Sequence, residues 1–332
     1  MAWEDVKDIL RPQSVHMGKM RVDAEKCKGC GLCVLNCVTR AWEMGEKDVP
    51  SLKAGYSCFS CYNCMVACPE QAISIVEPYH VGEGFWKTIP HPLPAKLPLQ
   101  PVDENGNNAE YTAVERAIFE RRSIRNYKDK EVPDTLIRRV LEAGRFAPSS
   151  GNCQPWKFIV VKDKAMIDEM DEMIAQVIAG LHNMYMNEET VKGLEFMVAG
   201  NPTPPADPRM IIGGLGPIAR KEVKPSLGAP AAIIIAGDMR SIAGPFIQIG
   251  ICGQNMCLAA NSMGIRSCWV GFYAIIEQFP DIKKKLGLEP PWTIISGVVL
   301  GYPKFNQDGI VAREYRPVTW FRTGWNNPEI EA

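Results

Sequence analysis

From about residue 110 the chain alternates between helical and extended hydrophobic patterns. Apolar positions in YTAVERAIFERRS (111–123) recur at a spacing that lays one helix face against a core. PDTLIRRVLEAGRFAP (133–148) predicts a second helix, with Pro133 suited to its first turn and Pro148 beyond its end. WKFIVV (156–161) predicts a short strand and AAIIIAG (231–237) a buried one. Residues 163–200 predict Met-rich helix, and 201–228, rich in Pro and Gly, predict loop. PFIQIGICGQNMCLAANSMG (245–264) is apolar nearly all round, which predicts a helix buried on all sides. RSCWVGF (266–272) and TIISGVVLGY (293–302) predict further strands, with a helix near 275–286 between them.

The first hundred residues follow another pattern. Residues 1–25 read as a short lead-in. Residues 27–75 contain a repeat: Cys27, Cys30, Cys33 and Cys37 map onto Cys58, Cys61, Cys64 and Cys68 at an offset of 31, which Ala41 and Ala72 also obey. The repeated unit is therefore longer than its cysteines, which predicts a pseudo-symmetric fold. IPHPLPAKLPLQP (89–101) predicts an extended, semi-stiff connector, and DENGNN (103–108) continues the break. The expected organisation is a cysteine-rich domain over 1–88, a linker over 89–109 and an α/β-patterned domain over 110–332.

Composition narrows the setting. A net charge of −1 over 332 residues supplies no positive field for nucleic acid or anionic lipid. The run 283–285, KKK, reads as a solvated helix end. MAWEDVKDIL has no apolar core of a signal peptide, and no apolar run reaches bilayer length, so a cytoplasmic protein without membrane contact is expected. Twelve cysteines in that setting point to metal or redox work instead of disulfides.

Both cysteine runs read C-x2-C-x2-C-x3-C. Thiolates suit iron–sulfur clusters and zinc, but structural zinc usually draws two cysteines from each of two knuckles. Residues 20–76 resemble a bacterial two-cluster ferredoxin, in which the fourth cysteine of each run serves the other cluster. By that rule Cys27, Cys30, Cys33 and Cys68 hold one [4Fe–4S] cluster, and Cys58, Cys61, Cys64 and Cys37 the other. Val38 departs from the proline usual after the fourth cysteine. Cys153, Cys252, Cys257 and Cys268 have no ligand spacing; Cys252 and Cys257 read as core filler. His16, His80, His91 and His182 are scattered and are assigned no chemistry. GGLG (213–216) lacks a dinucleotide-binding context and reads as loop.

Clusters move single electrons, so a two-electron partner is expected in the larger domain. Arg121, Arg122 and Arg125 bracket Ser123, a set suited to phosphate; arginines closing a helix and serving its dipole are the alternative. Pro148, Ser149, Ser150, Asn152 and Gln154 lie in APSSGNCQPW, either a ring-binding loop or a plain turn. In RSCWVGF, Trp269 reads as core and Gly271 permits close approach of a flat ligand. Arg313 and Arg316 are further phosphate candidates.

In combination, RRSIR, APSSGNCQPW, SCWVGF, the apolar helix, LGYP and YRP resemble the nitroreductase family of FMN-dependent oxidoreductases over residues 112–320. The resemblance implies an α+β sandwich that dimerises with FMN at the subunit interface. Arg121, Arg122, Ser123 and Arg125 would take the FMN phosphate and ribityl end, with Arg316 and Arg313. Pro148, Ser149, Ser150, Asn152, Gln154 and Gln254 would reach the neighbouring subunit's flavin. The backbone of Val270 and Gly271 would lie by N5, Val270 standing where the family often has an acidic residue. No side-chain acid or base is assigned a catalytic role. The expected activity passes electrons from two [4Fe–4S] clusters to FMN, which reduces a nitroaromatic- or quinone-like acceptor. Reduced ferredoxin or NAD(P)H would be the donor. Alternatives are an electron carrier or redox sensor without its own substrate, a dehydrogenase exporting electrons through the clusters, and non-reductive chemistry such as dehalogenation. The Met-rich 165–230 segment is expected to cover the flavin or simply to pack.

Overall fold

A computed structural model describes residues 3–10, 12–88, 98, 100–192, 207, 209–307, 309–311, 313, 318–325 and 327–331. Most of the proline-rich connector, 89–97 and 99, lies outside the described residues.

The 31-residue repeat is written into the backbone. Helices Leu32–Asn36 and Asn63–Ala67 stand 31 positions apart. Left-handed residues recur at the same offset: Gly29 and Ser60 (φ 67° and 57°), Gly31 and Tyr62 (67° and 58°), Arg40 and Gln71 (56° and 50°). Non-glycine residues take that region at a cost of order 1 kcal/mol, so four of them in register indicate a shape the whole unit imposes. The residues expected to be a lead-in are structured. Helix Trp3–Leu10 buries Ile9 and Leu10, β1 (Val15–His16) opens the sheet pairings, and β2 (Lys19–Val22) closes the module. The repeat's hairpin is β3 (Trp42–Met44) against β4 (Pro50–Leu52), while β5 (Ile73–Glu77) pairs antiparallel with β2 and β6 (His80–Val81) with β1. A strand as short as β2 shows little alternation until its partner, 51 positions away at Val22↔Ile73, is known. Met20, Trp42, Tyr62, Ile73 and Ile75 form a small core with Cys33 and Cys64.

The larger domain is built on an antiparallel sheet ordered β7 (Trp156–Val161), β8 (Ala231–Asp238), β10 (Trp292–Gly301), β9 (Arg266–Trp269). Side chains alternate across β8. Ile233 and Ile235 face helices Asp134–Arg145 and Pro245–Ser262 through Val140, Cys252 and Met256. Ala232, Ile234 and Ala236 face the other way, onto Met170, Ile174 and Ile178 of helix Lys164–Met186. Both faces are covered, which is why β8 reads as an unbroken apolar run. The result is the expected α+β sandwich.

Two expectations need correction. The stretch 201–228 is not all loop: Met210–Gly214 forms a π-turn and Gly216–Ala219 a short helix. Helix Pro245–Ser262 is not buried on all sides, since Phe246 is 60% and Ile247 74% exposed, with Ile251 beside them. Burial by one's own chain and burial by a neighbour leave the same apolar signature in sequence. Among the described residues no helix is long and apolar enough to cross a membrane.

Candidate cofactor sites

Cys27, Cys30, Cys33 and Cys68 line one small cavity, walled by Val22, Pro50 and Ile73. Cys37, Cys58, Cys61 and Cys64 form a second set, close enough that their charges act on one another. Burial pushes the Cys33 and Cys58 thiols up to about 11, and neighbouring thiols add to that rise. Buried, mutually repelling thiolates need a cationic group among them to become anions. Backbone donors already converge on the sulfurs. Ala41 N–H donates to Cys37 Sγ at 3.2 Å and Ala72 N–H to Cys68 Sγ at 3.3 Å, while Gly29 N–H reaches Cys27 Sγ at 3.5 Å. The matched alanines of the repeat are thus the residues whose amides meet each fourth cysteine. A tetrahedral zinc with bonds of about 2.3 Å would bring its thiolates to about 3.8 Å from one another. Among the described residues no three of these sulfurs lie within 4.8 Å of one another.

The histidines are not all scattered. Pairing of β1 with β6 sets His16 opposite His80, their rings stacked 4.4 Å apart, with the Glu77 carboxylate in the same group. Strand register, invisible in sequence, brings them together. Glu77 is also engaged by Lys19 at 2.6 Å.

In the larger domain the first helix, Ala113–Glu120, opens on a capping box at Thr112 and Glu115 and stops before the arginines. Arg121 is the C-cap of that helix, its N–H donating to Ala117 O at 3.1 Å; beyond it Ser123 bridges Ser267 in parallel, and Ile124 N–H donates to Ser267 O at 3.0 Å. Arg122 is only 7% exposed and donates to the carbonyls of Glu120 and Gly309. Its Nε and Nη2 thus bind backbone; Arg125 Nη1 donates to Ser123 O at 3.3 Å, and Arg125 also lines a cavity of about 420 Å³.

That cavity lies where the cysteine module meets the larger domain. Cys37, Val38 and Phe59 line it from one side, Arg125, Leu227 and Phe272 from the other. The junction is held by amides that sequence reasoning missed. Asn36, 5% exposed, accepts from Asn126 Nδ2 at 3.0 Å and from Gln307 Nε2. Asn36 immediately precedes Cys37 and Asn126 follows Arg125, and this adjacency was the one available signal.

The loop 147–156 stands elsewhere and does not line this cavity. Pro148, Ser150, Asn152 and Gln154 are exposed, and Gly151, Asn152 and Gln154 are left-handed (φ 58°, 53° and 47°). Ser149 Oγ accepts from Gln154 N–H at 2.9 Å. A second missed residue, buried Gln248, accepts from Ser150 N–H at 3.1 Å and donates to the Ile242 and Gly244 carbonyls. It pins the loop to the open-faced helix, on which Gln254 is exposed. Val270 is buried and its N–H is taken by Gly297 O at 2.8 Å. Gly271 begins a 3-10 helix with open space where a Cβ would sit. Trp269, read as core, is instead 36% exposed and lies against Gly253. Arg313 is exposed; Arg316 lies outside the described residues.

Comparison with known proteins agrees with this architecture. The chain is 29% identical over 215 residues to a protein of Archaeoglobus fulgidus named as an NADH dehydrogenase/NAD(P)H nitroreductase, covering 63% of this chain and 97% of that one. It is 24% identical over 207 residues to the chloronitrobenzene nitroreductase of Comamonas testosteroni, covering 57% and 86%. A crystal structure of a nitroreductase with bound FMN from Desulfitobacterium hafniense aligns with a TM-score of 0.45 at 24% identity, over 61% of this chain and 96% of that one. The model of the nitroreductase family matches residues 118–302, from the arginine segment through β10, so the chain belongs to the nitroreductase family.

Proposed function

We propose that the chain is an FMN-dependent oxidoreductase whose N-terminal ferredoxin-like module, residues 1–88, delivers electrons from two [4Fe–4S] clusters. Residues 89–109 link it to the FMN domain, 110–332. The carrying observation is the cavity shared by Cys37 and Arg125, which puts a cluster ligand and a candidate FMN contact on opposite walls of one space.

Bound clusters supply single-electron steps, and bound FMN supplies two-electron chemistry toward a nitroaromatic- or quinone-like acceptor. The chain's own residues bind and orient. Cys27, Cys30, Cys33 and Cys68 hold one cluster; Cys58, Cys61, Cys64 and Cys37 hold the other, with the Ala41 and Ala72 amides stabilising thiolate charge. Arg121, Ser123, Arg125 and the Arg313–Arg316 segment take the FMN phosphate and ribityl chain. Arg122 supports that segment by tying Glu120 to Gly309. Ser149, Ser150, Asn152 and Gln154, steadied by Gln248, reach a second subunit's flavin across the open face of helix Pro245–Ser262. Gln254 lies on that face. The Gly271 turn leaves room for the ring. Leu227 and Phe272 help to exclude water from the cavity.

Reduced ferredoxin is the favoured donor. The name of the Archaeoglobus relative favours a second reading, in which NAD(P)H reduces the flavin and the clusters exchange electrons with a protein partner. Anaerobic stopped-flow with NADH and NADPH separates the two. The first test is oxygen-free purification with iron, sulfide and flavin measured per chain. About eight iron, eight sulfide and one FMN are expected; zinc in place of iron, or a colourless protein, overturns the proposal.

A further inference from the structure

The two cysteine groups are not equivalent in position. Resting on the reading that both hold clusters, we infer that they act in a fixed order. The Cys58–Cys61–Cys64–Cys37 group is the inner one, facing the flavin domain. The Cys27–Cys30–Cys33–Cys68 group is the outer one, facing the donor.

Three observations set the inner group. Cys37 itself lines the interdomain cavity, with Arg125 and Phe272 on the opposite wall. Phe59, next to Cys58, lines it too, and a Cβ on Gly213 of the larger domain would lie 3.1 Å from Phe59 and 3.3 Å from Thr39. Asn36, next to Cys37, is bonded to Asn126 and Gln307.

The other group has none of these links. Every residue lining its cavity, Lys28 and Glu70 among them, belongs to the N-terminal module, and Cys30 is exposed. A one-electron protein donor can approach Cys30 without entering the interdomain space. In one turnover two donor proteins are each oxidised by one electron. Each electron passes through the outer and then the inner group. With FMN bound, the larger domain would pass those two electrons, with two solvent protons, to a quinone-like acceptor, which would leave as the hydroquinone.

The order is tested by EPR-monitored redox titration of the full, reconstituted chain. Cys61→Ser and Cys30→Ser assign the two signals, because each changes one ligand. Arg125→Gln, by removing a positive charge, is expected to lower the midpoint of the Cys61-assigned signal and leave the other unmoved; Arg125→Lys restores it. Lys28→Gln is expected to act only on the Cys30-assigned signal. A shift of the Cys30-assigned signal in Arg125→Gln, or equal shifts of both, overturns the order. A check without cysteine variants is slow oxidative loss in EDTA. The signal insensitive to Arg125→Gln is expected to vanish first, and the reverse overturns the order. Absence of any iron–sulfur signal from the unaltered chain would instead remove the cluster assignment beneath it.

Discussion

The cysteine module and the sandwich domain solve the problem of stability differently. The sandwich buries β8 on both faces, between two helical layers, with Ile233, Ile234 and Ile235 fully enclosed. The module's core is a handful of side chains, two of which, Cys33 and Cys64, are thiols. A domain that small buries too little apolar surface to stand easily alone. Its shape, with six non-glycine residues held left-handed, suits closing around the proposed groups. The larger domain should therefore survive without its cofactor, and the smaller one should not.

With the proposed clusters in place, the sharpest way to break that comparison is anaerobic removal of iron by chelation. Hydrogen exchange is expected to rise throughout residues 15–81 while β8 and β10 stay protected; protection retained in both regions would mean that the module folds on its own core. Next in size, Ile235→Ala should cost about 2–5 kcal/mol in denaturant unfolding of the sandwich, because the tightly packed β8 layer cannot collapse into the space. Gly253→Ala should cost about 1–3 kcal/mol, since the added Cβ would overlap the Trp269 ring and push it from the helix. Changed Trp fluorescence would report the displacement. Asn126→Ala should cost about 1 kcal/mol in global stability. Because that amide bridges to Asn36, the same variant should also speed proteolysis between the two regions without melting either.

The smallest effect concerns Asp171. Burial raises its carboxyl above the ordinary value, against the lowering by Ser226, whose hydroxyl and N–H both donate to it. A raised folded-state value means that the native chain holds this proton longer than the unfolded one. The associated stability is full below the ordinary Asp value and declines as pH rises through the raised one. Asp171→Asn should flatten that slope in urea midpoints measured from acid to neutral pH.

Much of the site was legible because it is local. The C-x2-C-x2-C spacing brings Cys27, Cys30 and Cys33 to one small cavity, and the 31-residue offset of Ala41 and Ala72 marked the amides that meet Cys37 and Cys68. WKFIVV matched β7, because a short run of bulky apolar residues in a sheet needs no distant information. What failed depended on partners far along the chain. His16 and His80 meet only through the register of β1 with β6. Arg122 and Arg125 look alike in ERRSIRNY, yet one is bound to Gly309 and the other lines a cavity. The open face of helix Pro245–Ser262 was read as buried because composition records apolarity and not what covers it.

The sequence by itself determined the thiol spacing, the repeat and the strand and helix types, since these follow from covalent neighbours and from periods of two and 3.6 residues. Tertiary structure alone decided which thiol group meets the larger domain, which arginine faces the shared space, and which apolar face stays open. Those outcomes turn on contacts between residues 90 or more positions apart, and such contacts leave no local pattern.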